Sequence, residues 1–122
     1  MNPAIIETAA LTVDCADAAA MGAFYQAAGG GEITVSDEDS CWVKLGGLLL
    51  IFREIPDYRA PIWPGSGSPM QMHFEFNVDG DLDEVAARLV ALGARLADYQ
   101  PHDGGRVMFD PAGHPFCIGG RV

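Results

Sequence analysis

Two halves of the chain repeat one pattern of structural signals, and this repeat restricts the fold more than any other feature. Residues 10–15 and 72–78 both alternate between apolar and polar side chains, which is typical of a half-buried strand. A candidate helix follows each segment, and one constant offset aligns both strands and both helices without a gap. The offset pairs Leu11 with Phe74, Val13 with Phe76, and Gly30 with Gly93. The sequence therefore predicts two modules of similar architecture.

Both candidate helices carry start and stop signals. Asp17 offers an N-cap before residues 18–28, and the glycines at 29–31 end that helix. Asp81, with Glu84 three residues further on, forms a capping-box-like start for the second helix. A glycine follows the end of its apolar stripe, which we interpret as core and not as a binding surface: Leu82, Val85, Leu89 and Leu92.

Three short strand-like runs follow each helix, separated by turns rich in Gly, Asp and Pro. They cover residues 32–35, 41–45 and 48–53 in the first half, and 95–98, 106–109 and 116–119 in the second. The predicted fold class is α+β, with two tandem β-α-β-β-β modules forming a curved mixed sheet with a concave pocket. We expect one domain over residues 1–122, made of module one (5–55), a linker (56–69) and module two (70–121).

The linker contains four prolines and the aromatic residues Tyr58 and Trp63. A loop of this length without an element of its own is either disordered or functional, and a tryptophan in it usually packs against the fold. We expect Trp63 to pack over the mouth of the sheet, with a subunit interface as the alternative.

The charge balance limits the classes of partner. Seven basic and seventeen acidic residues give a net charge of −10 at pH 7, which repels phosphate backbones and anionic lipid surfaces. We therefore expect no nucleic-acid partner and no membrane association. The acidic excess either makes a solvated surface or attracts a cationic ligand.

Cysteine usage indicates a reducing compartment. Cys15, Cys41 and Cys117 are an odd number without a CxxC pair, and the first residues lack the pattern of a secretory signal. No apolar run approaches the ~20 residues that span a bilayer. The expected location is the cytoplasm, with reduced thiols.

The first strand of module two carries the candidate catalytic pair. Alternation places His73 and Glu75 on one face and Phe74 and Phe76 on the opposite, core side. Because a carboxylate can fix the tautomer of a nearby imidazole and shift its pKa, His73 is a candidate general base oriented by Glu75. The alternative is a structural pair that hydrogen-bonds to neighbours or to water.

Candidate ligand-binding residues come from other strands and from the linker. Trp42 and Lys44 alternate with core-facing residues, so both can line the concave pocket, and Trp63 can close it. Aromatic walls suit planar ligands, although each tryptophan alone can instead fill core or interface. An apolar wall, an orienting charge and a thiol complete the predicted set: Phe109, Arg53 (or Arg106) and Cys117.

The turn at 110–113 is interpreted as structural. Asp110 is expected to hydrogen-bond the backbone of its own turn, as short carboxylates often do. His114 is expected to be a turn or strand-edge residue and not a ligand. For Cys117, simple packing is favoured over a nucleophilic role, because a buried thiol without a positive neighbour is usually unreactive.

The order and spacing of several motifs resemble the vicinal oxygen chelate superfamily. They are the duplicated module, Asp17 before Phe24-Tyr25 and Gly-Gly, His73-Phe74-Glu75-Phe76, Leu92-Gly93-Ala94, and the run from Asp110-Pro111 through His114 to Phe116-Cys117. Tyr58 and Pro61-Ile62-Trp63-Pro64 before Gln71-Met72-His73 resemble the glyoxalase-like domains grouped with glyoxalase, bleomycin-resistance and dioxygenase proteins. The resemblance covers nearly the whole chain and implies paired sheets, usually in a homodimer. It does not fix the chemistry, since this fold hosts lyases, isomerases, dioxygenases and antibiotic-binding proteins.

The resemblance also implies four metal-ligand points, on the first and last strand of each module. In module one they fall on Ala10 and on Leu50 or Ile51, and in module two on His73 and Cys117. Because a tight transition-metal site needs about three protein ligands, we expect no metal and no other cofactor. The alternative is an atypical divalent-metal site made by His73, Glu75 and Cys117.

The leading functional hypothesis is a metal-independent, glyoxalase-like protein that binds an apolar or aromatic small molecule, and that forms a homodimer. One alternative is an enzyme of the lyase, isomerase or dioxygenase type with an atypical site around His73. Another is a resistance protein that sequesters an antibiotic, which the acidic charge and the tryptophans favour weakly.

Overall fold

The computed structural model describes residues 4–65 and 67–120, which form two helices and eight strands in the predicted order. Module one consists of β1 (Leu11–Cys15), α1 (Ala18–Gly29), β2 (Glu32–Ser36), β3 (Ser40–Leu45) and β4 (Leu48–Glu54). Module two consists of β5 (Phe74–Asn77), α2 (Leu82–Ala91), β6 (Arg95–Leu96), β7 (Gly105–Phe109) and β8 (Pro115–Gly119). The predicted α+β class with two tandem β-α-β-β-β modules is confirmed.

Each module forms its own four-stranded mixed sheet. Sheet A has the order β1-β4-β3-β2, and sheet B has the order β5-β8-β7-β6. In both sheets the first strand runs parallel to the last, and the other neighbours are antiparallel. β5 and β6 are shorter than the predicted strands at 72–78 and 95–98, because β5 pairs with β8 over four residues and β6 pairs with β7 over two.

The helix caps are those that the sequence indicates. The Asp17 side chain accepts a hydrogen bond from a backbone N–H in the first turn of α1 at 3.0 Å. Asp81 caps α2 in the same way, accepting from the backbone nitrogens of Asp83 and Glu84. Gly30 ends α1 with a φ of 69°, a left-handed conformation that glycine adopts without strain. Within the described residues, neither helix has the length and apolar character needed to cross a membrane.

Aromatic side chains from both modules form one core around α1. Tyr25 stacks on Phe52 of β4 at a ring-centroid distance of 5.3 Å and lies edge-on to Phe74 of β5 at 5.7 Å. Phe24 approaches Phe116 of β8 to 6.1 Å. The helix of module one therefore packs against the core side of both sheets, and burial of these rings holds the two modules together.

A buried carboxylate adds a polar link between the modules. Asp110, only 4% exposed, accepts hydrogen bonds from the Tyr25 hydroxyl at 2.8 Å and from the backbone nitrogens of Ala112 and His114. The two backbone bonds confirm the predicted turn role. Burial is the main cause that raises the pKa of Asp110, and its hydrogen bonds oppose that shift. The bond to Tyr25 joins residues 85 positions apart, so local sequence signals do not reveal it.

Candidate functional site

Each sheet has one face in the core shared by both modules, and we call the opposite face its open face, although Trp63 covers part of that face on sheet B. On sheet B, Glu75 pairs with Cys117, which in turn pairs with Val107, so these three side chains form a row across the open face. The matching row on the open face of sheet A consists of Thr12, Ile51 and Trp42. The predicted division of β5 into a core side and an open side is confirmed, since Phe74 packs against the core while Glu75 is exposed. β1 divides in the same way, with Cys15 fully buried and Thr12 exposed.

The open face of sheet B brings together His73, Glu75 and Cys117. His73 Nε2 lies 3.0 Å from a carboxylate oxygen of Glu75, and one potential ligand atom from each of the three residues lies within 4.8 Å of the others. Burial, and then Glu75, raise the pKa of the Cys117 thiol to about 11. The thiol is therefore protonated at neutral pH, which agrees with the expectation that it is not an activated nucleophile.

Two cavities meet at this cluster. The larger one, the intermodule cleft, has a volume of about 700 Å³ and lies between β1, the linker and the start of β5. The smaller one, the sheet B pocket, has a volume of about 260 Å³ and lies on the open face of sheet B. His73 lines the cleft, whereas Glu75 and Cys117 line the pocket. The His73–Glu75 pair therefore lies at the boundary between the two cavities.

The wall of the intermodule cleft is largely apolar with a few polar groups. Its apolar side chains come from β1, from the linker and from the residues that follow the linker: Leu11, Val13, Ile55, Pro61, Met70 and Met72. Its polar side chains include Tyr58, Arg59, His73 and His114. Small-molecule sites in proteins commonly have this size and composition, with a few polar groups that fix the orientation of the ligand.

His114 and Tyr58 connect the cleft wall to both modules. His114 Nε2 lies 2.7 Å from the backbone carbonyl oxygen of Asp14, so this nitrogen carries the proton that it donates. The Tyr58 hydroxyl donates to the carbonyl oxygen of Ala112 at 2.8 Å and lies 3.1 Å from the same imidazole nitrogen. Burial is the main cause that raises the pKa of Tyr58 to about 12. His114 thus has a structural role, as predicted, while one edge of it faces the cleft.

The six predicted ligand-binding residues lie on two different sheets. Trp42, Lys44 and Arg53 are on the open face of sheet A, where Trp42 pairs with Ile51. The other three, Trp63, Phe109 and Cys117, lie on the sheet B side. Only Cys117 of the six lines either of the two cavities described above.

Trp63 packs against sheet B, but it lines neither of the two cavities and so does not close the mouth of a pocket. Its ring lies 6.4 Å from the Phe109 ring and 5.7 Å from the Tyr99 ring, measured between centroids. The Arg95 guanidinium lies 4.3 Å from the Phe109 ring centroid. Phe109 is buried, and its ring forms the surface on which the linker residue Trp63 packs.

The residues near both ends of the linker that line the intermodule cleft were not predicted from the sequence. Tyr58 and Arg59 precede the central part of the linker, and Met70 and Met72 follow it. The aromatic, cationic and thioether side chains at both ends of this proline-rich segment could have indicated a ligand-binding surface. Their approach to β1, however, depends on how the linker crosses the molecule.

The strand register decides which residues occupy the ligand points implied by the superfamily resemblance. Ile51 pairs with β1 in the position where Cys117 pairs with β5, so Ile51, and not the buried Leu50, matches Cys117. Ala10, the other point in module one, has no ligand atom. A metal chelate shared between the two modules therefore does not fit the residues of this chain.

Comparisons with known proteins agree with this fold. A family model described as glyoxalase-like domain matches residues 10–119. The solved structure of the fosfomycin resistance protein FosX from Listeria monocytogenes, complexed with Mn(II) and sulfate, is similar with a TM-score of 0.74 and 18% identity, covering 98% of this chain and 93% of that one. A glyoxalase/bleomycin resistance protein/dioxygenase family enzyme from Burkholderia phytofirmans has a TM-score of 0.69 and 18% identity, covering 92% and 96%.

A glyoxalase-related enzyme from Fulvimarina pelagi is similar with a TM-score of 0.68 and 23% identity, covering 94% of this chain and 88% of that one. No curated protein sequence matches the chain. At these identities the structural likeness establishes the fold and leaves the chemistry to the site itself.

Proposed function

We propose that this chain, which belongs to the glyoxalase-like domain family of the vicinal oxygen chelate superfamily, binds an apolar or aromatic small molecule in the intermodule cleft. The single observation that carries the proposal is the cleft itself, with a volume of about 700 Å³ and a largely apolar wall. This volume lies in the range of small-molecule sites, roughly 300–1,000 Å³. The apolar wall selects the class of ligand, since burial of apolar surface supplies most of the binding free energy.

Ligand binding in the cleft is proposed to be independent of a metal ion. The four-point chelate does not fit, because Ala10 and Ile51 carry no ligand atom. Polar side chains at the wall instead orient the molecule, with Arg59 as the cation.

A fluorescence titration with 1-anilinonaphthalene-8-sulfonate, an aromatic anion, tests this proposal. We expect saturable one-to-one binding that is unchanged by a chelator. Met72→Glu, which places a carboxylate on the cleft wall, should weaken binding at least about tenfold, equal to about 1.4 kcal/mol. Leu92→Glu is the matched control, because Leu92, which the sequence wrongly predicted to be core, is exposed and lies outside the cleft.

Two results would contradict the proposal. Probe binding that is equally affected by both substitutions would place the probe elsewhere, and binding that disappears with the chelator would make it metal-dependent. A bound antibiotic would be a narrower form of the same function, in which the protein sequesters the compound.

A second candidate function is catalysis at His73. The specific observation is the 3.0 Å contact between His73 Nε2 and Glu75 at the cleft wall, which orients the imidazole as a general base. An enzyme of this kind would lose turnover in both His73→Ala and Glu75→Gln while keeping ligand affinity within a few-fold. Equal turnover in Glu75→Gln and the parent protein would exclude the oriented-base mechanism.

We also propose a homodimer, as the superfamily resemblance implies. Trp42 and Ile51 lie half-buried on the open face of sheet A, where a second copy can cover them. Light scattering should give twice the chain mass of 13.0 kDa, and Trp42→Glu should shift the protein to monomer. A monomeric parent protein at micromolar concentration would refute this assembly.

A further inference from the structure

We propose that His73, Glu75 and Cys117 form a binding site for one thiophilic divalent cation, such as Zn²⁺, within module two alone. The inference goes beyond the proposed function, because the aromatic ligand in the cleft does not need this ion. It also differs from the arrangement implied by the superfamily, in which both modules supply ligands.

The donor set defines the class of ion. An imidazole nitrogen, a carboxylate oxygen and a cysteine sulfur are all common ligands of zinc, and three protein ligands with one open position are typical of reactive zinc sites. A thiolate ligand disfavours Mg²⁺ and Ca²⁺, which prefer oxygen. The site is therefore expected to select Zn²⁺, or Co²⁺ as its substitute, over the hard divalent ions.

The sheet fixes the three residues at suitable positions. Glu75 and Cys117 are direct neighbours on β5 and β8, and His73 precedes Glu75 by two residues and points to the same side. The three ligand atoms already lie within 4.8 Å of one another. Zinc–ligand distances of ~2.0–2.3 Å require the atoms to move only slightly closer, and the exposed His73 and Glu75 side chains are free to make that adjustment.

The surroundings leave room for a fourth ligand. Glu75 and Cys117 line the sheet B pocket of about 260 Å³, which is large enough for water and a small polar ligand. When the ion binds, the Cys117 thiol releases its proton to water, and the resulting thiolate and the Glu75 carboxylate balance the two positive charges of the ion. The net charge of −10 attracts a cation to this surface in addition.

Titration of the metal-free protein with Zn²⁺, followed by calorimetry, tests the site, and Co²⁺ titration reports directly on the sulfur. We expect one equivalent of Zn²⁺ and a near-ultraviolet charge-transfer absorption from the Co²⁺–thiolate bond. Cys117→Ser should abolish the absorption and weaken Zn²⁺ binding more than about 100-fold, since loss of a group that only orients a ligand already costs 10–100-fold. Glu75→Gln should weaken it less.

Glu32→Gln is the matched control, because Glu32 is an exposed carboxylate on β2. It should leave Zn²⁺ affinity unchanged, and Mg²⁺ should give no heat of binding. The other two thiols, Cys15 and Cys41, are buried in the core and do not contribute to the cobalt signal.

The two proposals fail in different ways. Zinc that binds equally well to Cys117→Ser, or a cobalt spectrum without a thiolate band, would refute the metal site while leaving probe binding in the cleft intact. Loss of probe binding in Met72→Glu with unchanged Zn²⁺ stoichiometry supports both. If a chelator abolished probe binding, the proposal that the cleft binds its ligand without a metal would be refuted, whereas the proposed metal site would stand.

Discussion

The two modules have matching backbones but different open faces. On sheet A the central row consists of Thr12, Ile51 and Trp42, whereas the matching row on sheet B consists of Glu75, Cys117 and Val107. The core faces remain alike, since Phe52 matches Ile118 and Leu50 matches Phe116, and all four side chains are buried. This difference shows that close packing restricts the core faces of both modules to apolar side chains. The open faces are not restricted in this way and can carry different functional groups.

The turns before the last strands show a second difference between the modules. Module one turns tightly at Gly46 and Gly47, but the turn of module two carries the buried Asp110 that binds Tyr25. Asp110→Ala should lower the free energy of unfolding by about 3 kcal/mol, because it leaves the Tyr25 hydroxyl and two backbone N–H groups without their acceptor. Urea denaturation measures this loss.

Gly47→Ala is the control for that prediction. An added methyl group at Gly47 meets no atom within 4 Å, so the change should stay within about 0.5 kcal/mol. Equal effects of the two substitutions would mean that the turns are equivalent after all.

Transferring the ligand set would remove the difference between the open faces. Ala10→His, Thr12→Glu and Ile51→Cys together place the three proposed ligands at matching positions of sheet A. We expect the Zn²⁺ stoichiometry to rise from one to two. Sheet A of the variant should bind Zn²⁺ about 100-fold more tightly than sheet A of the parent protein, equal to about 2.7 kcal/mol. Calorimetry at a protein concentration that leaves the chain monomeric, so that no second copy covers position 51, counts the equivalents. A count that stays at one would show that register alone does not make the site.

The helices also approach their sheets differently. A Cβ at Gly22 of α1 would collide with the Cys41 sulfur of β3, whereas α2 has Val85 at the matching position. Gly22→Ala should therefore cost about 2 kcal/mol through overpacking. Thermal unfolding checks this value, and the double variant Gly22→Ala with Cys41→Ala should recover part of it. Independent, additive losses in the double variant would contradict the close contact.

The smallest predicted effect concerns pH. Because the pKa of Asp110 is raised in the fold above its ordinary value of 3.8, the folded state holds more protons than the unfolded state between the two values. The resulting stability is complete below the ordinary pKa and is lost as the pH rises through the folded pKa. The free energy of unfolding of the parent protein, minus that of Asp110→Asn, should fall with rising pH, with a slope below about 1.4 kcal/mol per pH unit. Parallel pH profiles would contradict a raised pKa.

The candidate site was only partly predictable from the sequence. Strand alternation was sufficient to place His73 and Glu75 on one face, and the alternative metal site already included Cys117. Trp42 and Arg53 were grouped with Trp63 in one pocket, although they lie on a different sheet from the surface that Trp63 covers. The periodicity of a strand indicates which side chains share a face, but not which faces of two separate sheets lie close together. The sequence pattern therefore could not show which residues of the two modules share a pocket.

By itself, the sequence determined the two β-α-β-β-β modules, both N-caps and the sides of β3 and β5 that enter the core. These features depend on interactions between residues a few positions apart, which a pattern records directly. Only the tertiary structure decided that α1 packs on both sheets, that Ile51 matches Cys117, and that the linker walls a cleft beside His73. Such contacts join residues far apart in the chain, and their free energies depend on the packing of the whole molecule.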